Sequence, residues 1–180
     1  MEITKNHDRY TDAEVTAIVN AILEGSVFVG DLELIIIDDY SIDKSREIIK
    51  KYKEKDNRIT TIFHEENKGI AKSTNDGVNI SKGKFLAFID SDDVWERDKL
   101  EKQLRILEKD ENLIVWSDGM LIDENGESLG KTFIQLCNAS NRKKSGYIFF
   151  ELLIGNFINK SSLIFKKKSL GNISFNERFK

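Results

Sequence analysis

The sequence predicts an α/β fold with a mostly parallel sheet and helices on both of its faces. Apolar runs of strand length alternate with segments of helical periodicity from residue 12 to about residue 117. Two of these runs, residues 34–37 and 85–89, are uninterrupted and end in aspartates, as strands buried on both faces of a parallel sheet do. Together these observations predict a Rossmann-like architecture.

The predicted elements begin with a helix, a strand and a second helix. Residues 12–23 carry apolar side chains at helical spacing and acids in the first turn, which favours a helix. Residues 34–37 are the first buried strand. Ser41 and Asp43 can then cap a helix over residues 44–53, whose apolar residues share one side.

The same alternation continues through the middle of the chain. Residues 59–63 are predicted to form a short strand and residues 69–80 a third helix. Residues 85–89 repeat the pattern of an apolar strand running into acids. A helix over residues 96–107 and a strand over residues 113–116 follow.

Beyond Ser117 the pattern is looser. We expect a turn at residues 123–126, a solvated basic loop at residues 142–144, a helix over 147–154 and a strand over 162–165. No repeat or linker divides the chain, so we expect a single domain over residues 1–180.

The composition excludes several classes of function. The chain has 180 residues and a formal net charge of −3, which argues against nucleic-acid binding. Its longest apolar runs are far shorter than the ~20 residues that span a bilayer, and residues 1–10 lack the apolar stretch of a secretory signal. Cys137 is the single cysteine, so no internal disulfide can form. We therefore expect a cytoplasmic protein without an integral membrane segment.

Aspartates follow both buried strands. Asp38 and Asp39 end the first, and Asp90, Asp92 and Asp93 end the second. If the two strands are neighbours, their terminal carboxylates meet in one crevice, where they repel one another unless a cation compensates. A divalent metal is the natural cation, and a hard metal suggests a phosphate ligand. The sequence has neither a P-loop nor a G-x-G-x-x-G turn, so the metal is expected to hold the phosphates.

Three strings in this order resemble the inverting family 2 glycosyltransferases, which have the GT-A fold of nucleotide-diphospho-sugar transferases. They are ELIIIDDYS at residues 33–41, NKGIAKSTNDG at 67–77 and KFLAFIDSDDVW at 84–95. The resemblance covers roughly residues 11–180. It implies a nucleotide-sugar donor, a saccharide or lipid-linked acceptor and a role in polysaccharide biosynthesis. It also suggests a location beside the inner face of the membrane and allows a homo-oligomer.

The resemblance also implies roles for individual residues. Asp39 would accept a hydrogen bond from the nucleobase, usually uracil, in a pocket shaped by Asp38 and Ser41. Further nucleotide contacts are implied for the following residues: Asn67, Gly69, Asn75, Asp90 and Asp92.

The same resemblance implies a metal site in the D-x-D motif. Asp92 and Asp93 would hold Mg²⁺ or Mn²⁺ on the diphosphate, with Asp93 closest to the ion. The metal would neutralise the charge that develops on the departing nucleoside diphosphate.

Three departures from the family pattern lead to further expectations. Residues 1–10 show neither the usual apolar strand nor its proline, so the first strand is expected to be absent or replaced, which would leave the sheet unpaired and unstable. Thr74 stands where relatives often have Arg, so one nucleotide contact is expected to be missing. The catalytic base is expected beyond Lys180.

Two alternatives remain open. A catalytically inactive nucleotide-binding fragment would follow from the missing base and strand. A haloacid-dehalogenase-type phosphatase would use Asp90 as nucleophile and Asp92 as acid and base. For the other polar and aromatic candidates we expect ordinary roles: a surface hydrogen bond for His64, and packing for Trp95 and Trp116.

Overall fold

The structure, a computed structural model, describes residues 2–4, 32–110 and 112–178. Its strands are β1 Glu2–Thr4, β2 Leu34–Asp38, β3 Ile59–Phe63, β4 Phe85–Asp90, β5 Ile114–Val115, β6 Met120–Ile122, β7 Ser128–Thr132 and β8 Ile164–Lys166. Its α-helices are α1 Ser45–Lys55, α2 Ile70–Ile80, α3 Lys99–Leu107, α4 Phe133–Leu136 and α5 Phe149–Ile154. The helix predicted over residues 12–23 lies outside the described residues.

The main sheet of the described chain has six strands in the order β3-β2-β1-β4-β8-β5. Strands β1 to β4 are parallel to one another. Strand β8 runs antiparallel to both β4 and β5. The predicted α/β architecture with a mostly parallel sheet is therefore confirmed.

Strand β1 lies at the centre of this sheet. Ile3 pairs with Ile36 of β2 on one side and with Ile89 of β4 on the other. The first strand, expected to be absent or replaced, is therefore present at residues 2–4, and the expectation of an unpaired sheet is wrong. The strand is too short for a periodic pattern, although its β-branched Ile3 and Thr4 favour an extended backbone. It also separates β2 from β4, which are two strand spacings apart, about 10 Å, and not neighbours.

Helices cover both faces of the sheet, as the buried apolar strands require. On one face, Leu34 and Ile89 belong to a cluster with Ile49 of α1 and Leu107 of α3. On the other face, Phe88 packs in a cluster that includes Val78 of α2. Alternate residues of the same strand thus enter different halves of the core.

A smaller unit follows β5. Strands β6 and β7 form an antiparallel hairpin around the predicted turn at residues 123–126. Behind it, Phe157 is fully buried in a cluster with Ile134 and Ala139, against which Trp116 packs. The sequence predicted the turn but not the hairpin strands, because their residues are mostly exposed and show no clear alternation.

The described helices are short. Among residues 2–4, 32–110 and 112–178, none is both long and apolar enough to cross a bilayer.

Candidate functional site

The order of the strands makes the carboxyl end of β1 the expected position of a ligand site, as in other open α/β sheets. Thr4 pairs with Ile37 of β2 and with Asp90 of β4, so the segments that follow these two strands flank β1. The chain crosses from β1 to β2 on one side and from β3 to β4 on the other, which makes β1 the switch point of the sheet. The structure therefore brings both groups of predicted aspartates to one edge of the sheet, on opposite sides of β1.

Asp39 is buried and holds the loop that precedes α2. Its Oδ1 accepts a hydrogen bond from the Lys68 N–H at 2.8 Å, and its Oδ2 accepts one from the Gly69 N–H at 2.7 Å. The ring of His64 lies between two carboxylates, with Nδ1 2.7 Å from Asp39 and Nε2 3.1 Å from Asp76. The positive end of α2 is thus met by a carboxylate of the chain itself. The expectation of a surface role for His64 is wrong, because its side chain is only 4% exposed.

Asp38 forms the turn after β2. Its Oδ1 accepts the Ser41 N–H at 3.1 Å and the Arg46 Nε–H at 2.6 Å. Within this turn, between Asp38 and Ser41, Tyr40 has a φ of 71°, a left-handed conformation that is costly for a bulky side chain. Asp38 Oδ2 is buried and has no hydrogen-bond partner among the described residues. Such an oxygen is a candidate acceptor for a donor on a bound ligand.

Asn75 points to a different part of the chain. Its Oδ1 accepts the Phe175 N–H at 2.8 Å, and its Nδ2 donates to the Phe175 carbonyl and to Glu177 Oε1, both at 2.9 Å. The observed role of Asn75 is to hold residues 175–177 against α2, and its predicted contact with the nucleotide stays a prediction. Thr74 is fully buried and donates to the Ile70 carbonyl within the same helix.

The acidic loop, residues 90–93, turns sharply after β4. The Asp93 N–H donates to the Asp90 carbonyl at 3.1 Å. Asp92 is exposed, whereas Asp90 and Asp93 are partly buried. Burial raises the pKa of the Asp93 carboxyl, and the charges of Asp92 and Asp90 raise this pKa further.

A turn that precedes β8, residues 159–161, contacts this acidic loop with each of its residues. The Asp90 N–H donates to Ser161 Oγ at 2.8 Å, and the Asn159 amide lies 3.3 Å from Asp93 Oδ2. The Lys160 ammonium lies 2.8 Å from Asp90 Oδ1. Because β8 runs antiparallel to β4, the residues before β8 arrive at the edge where β4 ends.

Side chains around α3 fix the 159–161 turn from the opposite side. Trp95 Nε1 donates to the Ser161 carbonyl at 2.7 Å, and Gln103 Nε2 donates to the Ser162 carbonyl at 2.9 Å. Trp95 is buried in the main core, which agrees with the packing role expected for it. The turn is therefore held on both sides, by the acidic loop and by α3.

Lys99, the first residue of α3, is partly buried beside Trp95 and Gln103. The burial of its charge can be tested through the pH dependence of stability. Its ammonium is 4.0 Å from the centre of the Trp95 ring and 2.9 Å from Gln103 Oε1, and burial lowers the pKa of Lys99 to about 7. An unfolded lysine has a pKa of about 10.4, so between these two values the unfolded chain binds more protons than the folded one. The free energy of unfolding should therefore rise with pH in this window, and Lys99→Met should reduce that rise. Chemical denaturation at pH 7, 8 and 9 measures it.

The matched control is Lys102→Met. Lys102 is an exposed lysine of the same helix, and its pKa is raised by Asp98. This control should run parallel to the wild type over that pH range. A Lys99→Met curve that is also parallel to the wild type would contradict the burial of the Lys99 charge.

The acidic loop is suited to a hard cation that takes most of its ligands from water and from a bound phosphate. The described residues contain no group of three or more metal-ligating side chains. Mg²⁺, however, usually binds one or two carboxylates and completes its coordination with water and substrate phosphates. Asp92 is exposed and therefore accessible to a cation. The charged form of Asp93 is destabilised by burial and by the charges of Asp92 and Asp90, and a cation would relieve this.

The remaining predicted residues lie in the loops after β2 and before α2. Ser41 is partly buried in the Asp38 turn, Asn67 is exposed, and Gly69 starts α2 with a φ of 83°, a value suited to glycine. Sequence reasoning missed His64, Lys160 and Ser161, because each acts through a partner distant in sequence.

The family description "Glycosyl transferase family 2" matches residues 4–170. An uncharacterized glycosyltransferase of Methanocaldococcus jannaschii is 31% identical over 172 residues, which are 95% of this chain and 56% of that protein. TuaG of Bacillus subtilis, whose name refers to teichuronic acid biosynthesis, is 38% identical over 99 residues, 55% of this chain and 39% of TuaG.

A third relative has a more specific name. WfaP of Escherichia coli, a UDP-Glc:alpha-D-GlcNAc-diphosphoundecaprenol beta-1,3-glucosyltransferase, is 38% identical over 88 residues, 49% of this chain and 34% of WfaP. The chain therefore spans about half the length of the relatives it matches, or less. None of these matches supports the phosphatase alternative.

Solved structures share the fold. TarS 1–349 of Staphylococcus aureus in complex with UDP gives a TM-score of 0.67 at 20% identity, covering 100% of this chain and 52% of that one. The mannosyltransferase PcManGT of Pyrobaculum calidifontis, in complex with GDP-Man and Mn²⁺, gives 0.66 at 15% identity and covers 98% of this chain and 47% of that one. These likenesses confirm the predicted GT-A fold.

Proposed function

We propose that this chain, which belongs to the family 2 glycosyltransferases, binds the nucleotide-sugar donor of a sugar-transfer reaction. The reaction is proposed to invert the configuration at the transferred sugar. The donor proposed is a UDP-sugar. One observation supports the proposal: Asp38 and Asp39 on one side of β1, and the acidic loop on the other, lie at the same edge of the sheet, where the strand order changes direction. The width of about 10 Å between β2 and β4 suits a nucleotide that lies across β1.

The nucleobase is proposed to lie beside the turn after β2. Asp39 was predicted to accept a hydrogen bond from the base, but both of its oxygens already accept backbone N–H groups. Asp38 Oδ2 has no hydrogen-bond partner in the described part of the chain and lies in the same turn, so it supplements Asp39 as the proposed acceptor. Ser41, Asn67 and Gly69 would border this pocket.

The diphosphate is proposed to lie at the acidic loop, with Asp92 and Asp93 holding Mg²⁺ or Mn²⁺ and Asp90 lining the loop. When bound, the metal supplies positive charge to the leaving nucleoside diphosphate. The chain's own contribution is to fix the loop: the Asp90 N–H bonds Ser161 Oγ, and the Asp93 N–H closes the turn on the Asp90 carbonyl. A loop fixed in this way needs no reorganisation when the donor binds.

The test is titration calorimetry of the full-length protein with UDP in the presence and absence of Mn²⁺. Binding of UDP that strengthens at least about tenfold with Mn²⁺ would support the proposal, because metal bridging contributes several kcal/mol. ADP is the control nucleotide, and it should bind more weakly because the proposed pocket is assigned to uracil. An affinity for UDP that is the same with and without Mn²⁺ would contradict the assignment of the metal and the diphosphate to the acidic loop.

The acceptor is proposed to be a saccharide or a lipid-linked sugar in polysaccharide biosynthesis, at the cytoplasmic side of a membrane. The name of WfaP gives a diphosphoundecaprenol-linked acceptor for that relative. In this chain, α5 leaves four apolar side chains exposed beside the basic loop of residues 142–144: Phe149, Phe150, Leu153 and Ile154. Flotation with anionic vesicles tests a peripheral contact, and unchanged binding after Phe149→Ser with Phe150→Ser would contradict it.

A further inference from the structure

The 159–161 turn brings a positive charge to the acidic loop. The pairing of Phe85 with Lys166 and of Ala87 with Ile164 runs along β4 and β8 in opposite directions. Continued beyond the strands, this register sets Ser161 opposite Asp90, where the Asp90 N–H donates to Ser161 Oγ at 2.8 Å. The neighbouring Lys160 is placed by the same backbone.

The ion pair between Lys160 and Asp90 is less exposed than the pair between Lys102 and Asp98 at the start of α3. Its N–O distance is 2.8 Å, and the two side chains are only 20% and 27% exposed. In the pair of Lys102 with Asp98, the corresponding exposures are 71% and 52%. A half-buried pair next to a fixed turn is screened less by solvent, so the Lys160 charge stays at the loop.

We propose that Lys160 sets the charge of the donor site, so that the acidic loop takes up its metal together with the nucleotide diphosphate rather than alone. This inference rests on the proposed function. Lys160 occupies one oxygen of Asp90 and repels a free divalent cation that approaches Asp92 and Asp93. The same ammonium attracts the phosphates of the nucleotide. Lys160 is a positioning residue in this role, since it acts through Asp90 and through its field.

The proposal predicts two effects of opposite sign. In Lys160→Met, Mn²⁺ alone should bind about tenfold more tightly, because the variant removes a unit positive charge near the divalent ion, and this repulsion persists even at the dielectric constant of water. UDP without metal should bind about fivefold more weakly, since its phosphates lose a nearby cation. General damage to the loop would weaken the binding of both ligands. Changes of opposite sign therefore distinguish the loss of the Lys160 charge from a loss of loop structure.

The experiment measures Mn²⁺ and UDP separately by calorimetry in the full-length protein, with circular dichroism to confirm folding. Lys160→Arg keeps the charge and should retain both wild-type affinities. Lys51→Met is the matched control, because Lys51 is an exposed lysine on α1, which packs beside β2 and β3, away from β4.

The outcomes are distinct. A tighter Mn²⁺ affinity and a weaker UDP affinity in Lys160→Met alone would support the proposal. Unchanged affinities, or a parallel loss of both, would overturn it while leaving the proposed function intact. A wild-type protein that binds neither UDP nor the UDP–Mn²⁺ complex would overturn the proposed function and this inference with it.

Discussion

Replacing Asp92 and Asp93 together by asparagine should weaken UDP binding in the presence of Mn²⁺ by about a hundredfold, because the metal then loses both of its proposed carboxylate ligands. Sugar transfer by the full-length protein should fall at least as far. The fold should survive, since Asp92 is exposed and the turn is closed through the Asp93 backbone N–H. Calorimetry with UDP and Mn²⁺ and a transfer assay at saturating donor measure the two effects.

The control for this prediction is Asp98→Asn. Asp98 is an exposed carboxylate that pairs with Lys102 at the start of α3, so its replacement removes a charge without touching the acidic loop. UDP affinity in Mn²⁺ that stays at the wild-type level in the Asp92 and Asp93 variant would assign the metal, and with it the diphosphate, to other residues.

The second large effect concerns stability. Asp39→Asn should lower the free energy of unfolding by about 3 kcal/mol, because an amide cannot accept hydrogen bonds with both of its ends. Asp39 accepts the Lys68 and Gly69 N–H groups with different oxygens, so asparagine would turn its NH₂ toward one of these donors. Urea denaturation followed by circular dichroism measures the loss, and UDP affinity should fall in parallel.

Asp43→Asn provides the comparison. Asp43 is exposed and accepts the Ser45 N–H at the start of α1, a role that asparagine fills equally well. Its effect should remain below about 0.5 kcal/mol. If Asp39→Asn were as mild as Asp43→Asn, the hydrogen bonds around Asp39 would not hold the loop before α2.

The parts of the fold that the sequence predicted are those with a strong local signal. β2 and β4 are apolar throughout and end in acids, which predicted both their burial and their role at one edge of the sheet. α1, α2 and α3 followed from periodicity, although α3 begins later than expected because residues 91–98 form a loop.

The parts that were missed depend on contacts between distant residues. β1 has no periodicity of its own and is a strand because β2 and β4 pair with it on both sides. His64 follows β3, and no local pattern shows that two carboxylates from other elements enclose it. The charge of Lys160 was visible, but its place beside Asp90 depends on the direction of β8.

The reversed direction of β8 has a consequence for how such a site can diversify. In a purely parallel sheet, every loop at the ligand edge follows a strand and leads into a helix that packs on the sheet. Here the edge also receives a segment that precedes its strand, so residues 159–161 can change in sequence without altering any strand-to-helix connection. Related proteins can therefore alter selectivity at this position independently of the framework that recognises the nucleotide.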